Sequence, residues 1–202
     1  MIGMLITFEG IDGSGKTTQM DLLGNWLMTQ GLPYLQTREP GGTMLGRHIR
    51  NDLLFGHMNI APLAEAFLFL ADRAQHFEQI VLPKLEQDTI VLVDRCIDST
   101  IAYQGYGKQV GISFLEHLNT VATKGREPDL TILLDIDAES ALDRKKGDLD
   151  RMEQLDLLRS ARAAYISLAI RHSHRIKVIQ ADQSEYDIHR QIIGLVKKLR
   201  EP

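Results

Sequence analysis

The chain has 202 residues, a length that suits one globular domain and leaves little room for a second independent core. Its composition, 44% hydrophobic and 25% charged, is typical of a globular protein and excludes wholesale disorder. The net charge of −4 gives no basic surface for a nucleic-acid polymer or an anionic membrane, so we expect neither as a partner.

The cysteine content and the N-terminal segment predict a cytoplasmic location. Cys96 is the only cysteine, which excludes an internal disulfide and a zinc site built from several cysteines. The first residues include no basic segment, and Glu9 and Asp12 interrupt the apolar run that begins the chain. We therefore expect neither a signal peptide nor a membrane span.

The first predicted strand, residues 5–8, leads into a turn that matches the pattern G-x-x-x-x-G-K-[ST] in full. A predicted helix, residues 16–30, follows it and ends at Gly31. At such a turn the backbone N–H groups surround phosphate oxygens, and the helix N-terminus adds partial positive charge. Lys16 then reaches the β- and γ-phosphates, and Thr17 offers a hydroxyl to Mg²⁺. The residues predicted to bind ATP are Gly10, Ile11, Asp12, Gly13, Ser14, Gly15, Lys16, Thr17 and Thr18.

A second predicted strand, residues 33–37, ends in a tight turn of one proline and two glycines, with Arg38 and Glu39 beside it. The turn is either a charged surface loop or a substrate contact, and its place at a strand end favours the contact. A helix is predicted over residues 62–82, because Pro62 is tolerated in a first turn.

The third predicted strand, residues 89–93, is followed directly by Asp94 and Arg95. An aspartate at this position can hold Mg²⁺, often through water, and a guanidinium forms a planar fork suited to phosphate. The next residues offer the hydrogen-bonding groups and the flat ring that a nucleoside requires. They are Ser99, Thr100, Tyr103 and Gln104. An Asp–Arg ion pair followed by a solvated helix is the alternative.

Two more strands and four helices complete the pattern. Strands are predicted over residues 130–135 and 175–179, and helices over residues 113–124, from 138, over 151–172 and from 185 after Ser184. Alternating strands and helices predict an α/β fold, a three-layer, doubly wound, parallel five-stranded sheet of the P-loop type. In such sheets the ligand lies beyond the carboxyl ends of the strands.

Four separated blocks of the sequence resemble thymidylate kinase of the bacterial type. They are residues 8–19, 37–43, 94–105 and 128–135, and their order and spacing hold across nearly the whole chain. The first block is common to many nucleotide-binding proteins, whereas the second and third together are specific. The resemblance implies a single nucleoside-monophosphate-kinase domain, 1–202, that uses Mg²⁺ and ATP, phosphorylates dTMP and forms a homodimer.

The resemblance also implies roles for residues on the acceptor side. Arg95 would hold the dTMP phosphate, and Asp12 would lie between the two nucleotides. Phe69 and Arg73 would stack on thymine and bond its O4, although helical spacing alone favours core packing for Phe69. Tyr103 would crowd the 2′ carbon and so disfavour ribonucleotides. The full predicted dTMP set is Asp12, Glu39, Phe69, Arg73, Arg95, Ser99, Thr100, Tyr103 and Gln104.

A densely charged segment, residues 143–153, corresponds to the family's lid over the ATP phosphates. The P-loop lacks an arginine, so lid cations are expected to stabilise the transferred phosphoryl group. The arginine run typical of the family is shortened here, which leaves Arg144 and Arg151 as candidates and Lys145 and Lys146 as substitutes. A solvated helix face is the alternative for each of them.

Two other functions fit parts of this pattern. One is a P-loop kinase for a nucleoside or another monophosphate, and the second is a nucleotide-binding regulator without turnover. The intact Lys16, Thr17 and Asp94 argue against a regulator, because such a protein need not keep them together with Arg95 and a charged lid.

Overall fold

The computed structural model of the chain describes residues 3–56, 58–144 and 154–200. Its five strands are parallel and lie in the order β2-β3-β1-β4-β5. They are β1 (Leu5–Glu9), β2 (Tyr34–Arg38), β3 (Ile90–Asp94), β4 (Leu130–Asp135) and β5 (Ile176–Gln180). The predicted sheet is confirmed, and each strand bound agrees to within one residue.

Within the described residues, α-helices cover both faces of the sheet. They are α1 (Lys16–Thr29), α2 (Met44–Leu54), α3 (Pro62–His76), α4 (Leu82–Glu86), α5 (Ile97–Thr100), α6 (Ile112–Ala122), α7 (Ala138–Arg144), α8 (Leu155–Arg171) and α9 (Glu185–Arg200). Two π-helical segments, Phe77–Val81 and Ile101–Gly107, extend α3 and α5. None of the helices in these ranges is both long enough and apolar enough to cross a bilayer.

Two elements differ from the sequence prediction. The helix predicted over residues 62–82 continues through a π-helical turn and ends at Glu86. Helix α2 was not predicted, and it begins where the Thr43 hydroxyl accepts a hydrogen bond from the Gly46 amide at 2.9 Å. Its buried Ile49 and Leu53 hold it against the core. The start predicted for α8, Arg151, lies outside the described residues.

The core lies on both faces of the sheet, which explains the three layers. Phe8, Leu92 and Ile132 pack in one buried cluster on the face covered by α1 and α9, while Val91 and Val93 pack on the opposite face with the π-helical segment after α3. Strands buried on both faces carry few polar residues, as the sequence of β3 illustrates.

The strand register places the carboxyl ends of β1, β2 and β3 at the same edge of the sheet. Phe8 of β1 and Arg38 of β2 both pair with Asp94 at the end of β3. The P-loop, the loop after β2 and the segment after β3 therefore meet at this edge, where ligands bind in doubly wound folds.

Candidate active site

The P-loop begins at Gly10 and ends in the first turn of α1. Gly13 and Gly15 have φ angles of 83° and 92°, a region that favours glycine. A Cβ on Gly13 would lie 2.1 Å from the Ala141 carbonyl oxygen, so a side chain is excluded there. This geometry turns the backbone amides toward the space in front of α1, where phosphate oxygens bind in such loops.

Lys16 is buried at the base of this loop. Its Nζ donates hydrogen bonds to the carbonyl oxygens of Gly10 and Ile11, both at 3.0 Å, and lies 3.9 Å from Asp12 Oδ1. Burial and the nearby Arg95 guanidinium lower the pKa of Lys16, while Asp12 opposes the shift. The ammonium is therefore held at the loop and available to exchange main-chain oxygens for phosphate oxygens.

Two further oxygen groups face the same cleft. The Thr17 hydroxyl donates a hydrogen bond of 3.4 Å to Asp94 Oδ2. Asp94 Oδ1 is buried and has no hydrogen-bond partner within the described residues. A hydroxyl beside a carboxylate with a spare oxygen suits Mg²⁺, which keeps most of its ligands as water and phosphate.

The cleft in front of the P-loop encloses about 1190 Å³, open solvent included. Asp12 and all P-loop residues from Gly13 to Thr18 line it. Its far wall holds Arg144, whose Nη1 donates to the Ala181 carbonyl oxygen at 2.9 Å. Thus the candidate lid residue Arg144 lies in the same cleft as the P-loop, whereas Arg151, Lys145 and Lys146 lie outside the described residues.

A second cleft of about 550 Å³, open solvent included, lies on the other side of Asp12. The structure brings every residue of the predicted acceptor set into its lining: Asp12, Glu39, Phe69, Arg73, Arg95, Ser99, Thr100, Tyr103 and Gln104. Phe69 is half-buried, and it both packs against the core and contributes to this lining. The two interpretations of its helical position are therefore compatible.

Arg73 anchors the floor of the acceptor cleft. Its Nε donates to Glu39 Oε2 at 2.7 Å, and its Nη1 donates to Thr100 at 2.7 Å and to Asn119 at 2.5 Å. Its Nη2 donates to the Cys96 carbonyl oxygen at 2.8 Å. These bonds fix the guanidinium plane and use four of its five N–H groups, which leaves one Nη2 proton for a ligand.

Glu39 is buried between Arg73 and His76, whose Nδ1 lies 2.8 Å from Glu39 Oε1. Burial alone would raise the pKa of Glu39, but Arg73 and the contact with His76 hold it below its ordinary value. The carboxylate therefore stays charged. Because both of its oxygens are occupied, its local effect is to orient Arg73.

Arg95 follows β3 in the left-handed region, with φ 69°. Its Nη2 donates to Asp12 Oδ1 at 2.8 Å, and its Nη1 donates to the Gly10 carbonyl oxygen at 3.0 Å. The guanidinium carbon lies 5.3 Å from the centroid of the Tyr103 ring. Arg95 therefore lies between the acceptor cleft and the P-loop. Its guanidinium is oriented by Asp12 and Gly10 on one side and by the Tyr103 ring on the other.

Several residues of this region were not predicted from the sequence. Arg50 and Leu54 of α2 line the acceptor cleft, together with Pro40, and Arg50 Nη1 donates to the Pro40 carbonyl oxygen at 3.1 Å. A helical period over residues 44–54 was the available signal for α2. Glu9 and Tyr165 lie behind Arg95, and nothing in the local sequence marks them.

Comparisons with known proteins assign the chain to a family. A family model described as thymidylate kinase matches residues 8–192. The chain is 44% identical over 207 residues to a thymidylate kinase of Pelotomaculum thermopropionicum, covering 98% of this chain and 95% of the relative. It is 45% identical to a thymidylate kinase of Nostoc punctiforme, covering 98% and 97% respectively.

A solved structure gives the same result at the level of the fold. The crystal structure of thymidylate kinase from Ehrlichia chaffeensis matches with a TM-score of 0.80 at 37% identity, covering 98% of this chain and 100% of that one. The family match extends from the end of β1 into α9 and so includes both clefts and all the strand ends that form them. The chain belongs to the thymidylate kinase family.

Proposed function

We propose that the chain transfers the γ-phosphoryl group of ATP to dTMP, giving ADP and dTDP. The observation that carries this proposal is the position of Asp12, which lines both clefts and separates two cations. Its Oδ1 lies 3.9 Å from the Lys16 ammonium on the donor side and 2.8 Å from the Arg95 guanidinium on the acceptor side. Two phosphate groups bound by these cations would meet end to end.

The acceptor cleft supports a pyrimidine nucleotide. Phe69 offers a ring face, and Arg73 has an N–H group left for a base oxygen. Thr100 and Gln104 lie at the inner wall, and the buried Tyr103 ring fills the space we assign to the 2′ side of the sugar. Arg95, which contacts Gly10 and Asp12 of the P-loop, lies where the acceptor phosphate would face that loop, and Arg50 lines the same cleft.

The reaction needs charge neutralisation and alignment more than proton removal. A phosphate monoester is largely ionised near neutral pH, so its oxygen can attack without a strong general base. Lys16 would neutralise charge on the donor phosphates, and Arg95 would align the acceptor for in-line transfer. Arg144 reaches the donor cleft and could add a cation to it, while a role for Arg151, Lys145 or Lys146 is a prediction from the sequence.

Thr17 and Asp94 are the residues that would hold Mg²⁺. The unpartnered Asp94 Oδ1 and the neighbouring hydroxyl fit such a cation. No group of three or more His, Cys, Asp or Glu side chains in the described ranges could hold a metal alone, which agrees with an ion held mostly by phosphates and water. When bound, Mg²⁺ would neutralise the developing charge on the donor phosphates.

We further propose a cytoplasmic homodimer. An exposed apolar face runs along α3 and α6, formed by Leu63, Phe67, Phe114 and Val121, with the two phenylalanine rings 6.4 Å apart. An exposed apolar face of this kind often marks a protein–protein interface, and a two-fold dimer would cover it with the same face of a second copy. Phe67→Glu should convert the protein to a monomer in sedimentation analysis, whereas an unchanged mass would exclude this face.

A coupled assay for ADP tests the proposed function directly. With ATP and Mg²⁺, dTMP should be the preferred acceptor over dUMP, dCMP, dGMP and AMP. Equal turnover of another monophosphate would identify a different kinase, and binding of ATP without any product would identify a regulator.

Arg95→Ala tests the acceptor assignment by calorimetry. The dTMP dissociation constant should rise on the order of 10- to 100-fold, because hydrogen bonds to charged groups are lost, while ATP affinity stays within about twofold. Arg159→Ala removes an exposed arginine paired with Glu139 and serves as the control. An equal loss of affinity for both nucleotides would reject the proposed role of Arg95.

A further inference from the structure

A buried hydrogen-bonded cluster lies behind Arg95, and the proposed mechanism does not use it. Besides its bonds to Asp12 and Gly10, Arg95 Nη1 donates to Tyr165 Oη at 3.2 Å and to Ser99 Oγ at 3.3 Å. Both hydroxyl oxygens contact Glu9 Oε2, Ser99 at 2.6 Å and Tyr165 at 2.8 Å. The two hydroxyls lie 2.7 Å from each other.

The cluster joins distant parts of the chain. Glu9 ends β1 and is 0% exposed, and its Oε1 accepts a hydrogen bond of 2.7 Å from the Cys96 amide, directly after Arg95. Tyr165 is 2% exposed and lies on α8, the described helix that follows the predicted lid segment. The carboxyl group thus holds the backbone on one side of Arg95 and the hydroxyls that contact its guanidinium on the other.

The hydrogen-bond donors explain how the cluster holds Arg95. Ser99 and Tyr165 each have one hydroxyl proton, and both donate it to Glu9 Oε2. Neither hydroxyl then has a proton for the other, and both hydroxyl oxygens accept from Arg95 Nη1. Burial and, second, Asp98 raise the pKa of Glu9 to about 7, while Arg95 and the hydrogen bonds from Ser99 and Cys96 oppose the shift.

We propose that Glu9 and Tyr165 are positioning residues that direct the Arg95 guanidinium toward the acceptor phosphate. Without the two hydroxyl contacts, Nη1 would keep only the Gly10 carbonyl oxygen, and the guanidinium could rotate about its Asp12 contact. The inference rests on the proposed function, because it assigns to Arg95 the phosphate of dTMP. It adds a connection from α8 to the acceptor site.

Tyr165→Phe is the first test, because it removes one hydroxyl and keeps the ring that packs edge-on against Tyr103. We expect the KM for dTMP to rise roughly three- to tenfold, the effect of one hydrogen bond of ordinary strength, with the KM for ATP unchanged. The inhibition constant of thymidine, which has no phosphate, should not change. Tyr186→Phe, at an exposed tyrosine of α9, is the matched control.

A double-mutant cycle separates positioning from packing. In an Arg95→Ala background, Tyr165→Phe should cause no further loss of dTMP affinity, because the group it directs is absent. Ser99→Ala and Glu9→Gln should reproduce the KM effect, and thermal unfolding of each variant identifies any that fails to fold. If Glu9→Gln does not fold, Ser99→Ala still tests the cluster.

Two results would overturn the inference. One is that Tyr165→Phe weakens the binding of dTMP and of thymidine equally, and the other is that it lowers dTMP affinity by the same factor with and without Arg95. If the wild-type protein phosphorylates dTMP and the Tyr165→Phe variant has the same kinetic constants, this inference alone is rejected. A wild-type protein without dTMP kinase activity would instead reject the proposed function.

Discussion

The donor and acceptor clefts lie on opposite sides of Asp12 and are built in different ways. The donor cleft is the larger of the two, and one continuous segment, residues 12–19, provides most of its lining. The acceptor cleft is smaller and draws its lining from the P-loop, the loop after β2, α2, α3 and the segment after β3. Its key side chains, such as Arg73, are already hydrogen-bonded to one another.

The difference follows from the ligands we assign to the clefts. A triphosphate presents the same oxygens in every nucleotide, so backbone amides at a helix N-terminus and one lysine can bind it. A particular monophosphate must be distinguished by its base and sugar, and this requires side chains fixed in advance, as preorganised networks are. Changes on the donor side should therefore affect turnover, and changes on the acceptor side should affect recognition and stability.

Lys16→Ala should give the largest effect. Removing the cation that faces the donor phosphates should lower kcat on the order of 10³-fold, because preorganised charge stabilisation is a large part of catalysis in such sites. Affinity for dTMP should change by less than about twofold, since Lys16 does not line the acceptor cleft. Steady-state kinetics and dTMP titration measure the two effects separately. Lys124→Ala, at an exposed lysine paired with Glu78, is the control. A parallel loss of dTMP affinity would show that the two clefts are not independent.

Arg73→Ala should show that the acceptor cleft, unlike the donor cleft, contributes strongly to the free energy of unfolding. The substitution leaves the buried Glu39 carboxylate without its guanidinium, so the free energy of unfolding should fall by about 3–5 kcal/mol. Urea unfolding measures this change. Arg159→Ala, which breaks an exposed ion pair, should cost no more than about 1 kcal/mol. Where the Arg73 variant remains folded, its dTMP affinity should fall and its ATP affinity should not. A small stability change would indicate that the network around Arg73 reorganises.

The same contrast determines what could be predicted from the sequence. The parallel sheet could be predicted because short apolar runs alternate with helical stretches, and the P-loop and the Asp94-Arg95 pair are short contiguous patterns at strand ends that located the ligand-binding edge. The assignments of Phe69 and Arg73 to the base came from family resemblance, because helical spacing alone favours core packing for Phe69. The cluster behind Arg95 could not be predicted. Glu9 and Tyr165 are 156 residues apart, and only packing decides whether such a carboxyl group is buried or solvated.

The buried acid behind Arg95 should make stability depend on pH. The pKa of Glu9 is raised by burial from 4.5 to about 7, so the folded state binds more protons than the unfolded state between these values. The Glu9 contribution to the free energy of unfolding should therefore be complete below about pH 4.5 and decline as pH rises to 7, by no more than about 3 kcal/mol. Asp72, whose pKa burial raises to about 6, acts in the same direction, so the test is the difference between wild type and Glu9→Gln.

Urea unfolding between pH 4.5 and 7.5 measures that difference. The Glu9→Gln curve should decline less steeply than the wild-type curve, while Glu86→Gln, at an exposed residue, should follow the wild type. Parallel curves for all three proteins would mean that Glu9 does not hold its proton in the folded state.

The smallest expected effects come from replacing two helix-capping residues, one beside each cleft. The Thr43 hydroxyl accepts from the Gly46 amide at 2.9 Å and begins α2, whereas the Ser184 hydroxyl accepts from the Asp187 amide at 3.1 Å and begins α9. Replacing either residue with alanine should cost about 1 kcal/mol of unfolding free energy.

Because α2 carries Arg50 into the acceptor cleft, Thr43→Ala should also weaken dTMP binding about two- to threefold and leave ATP binding unchanged. Ser184→Ala should affect ATP instead, because Glu185 and Ile188 of α9 line the donor cleft. Calorimetric titration of both variants with dTMP and with ATP measures these affinities. A cap variant that binds both nucleotides more weakly by the same factor would show that each helix end does not act on its own cleft alone.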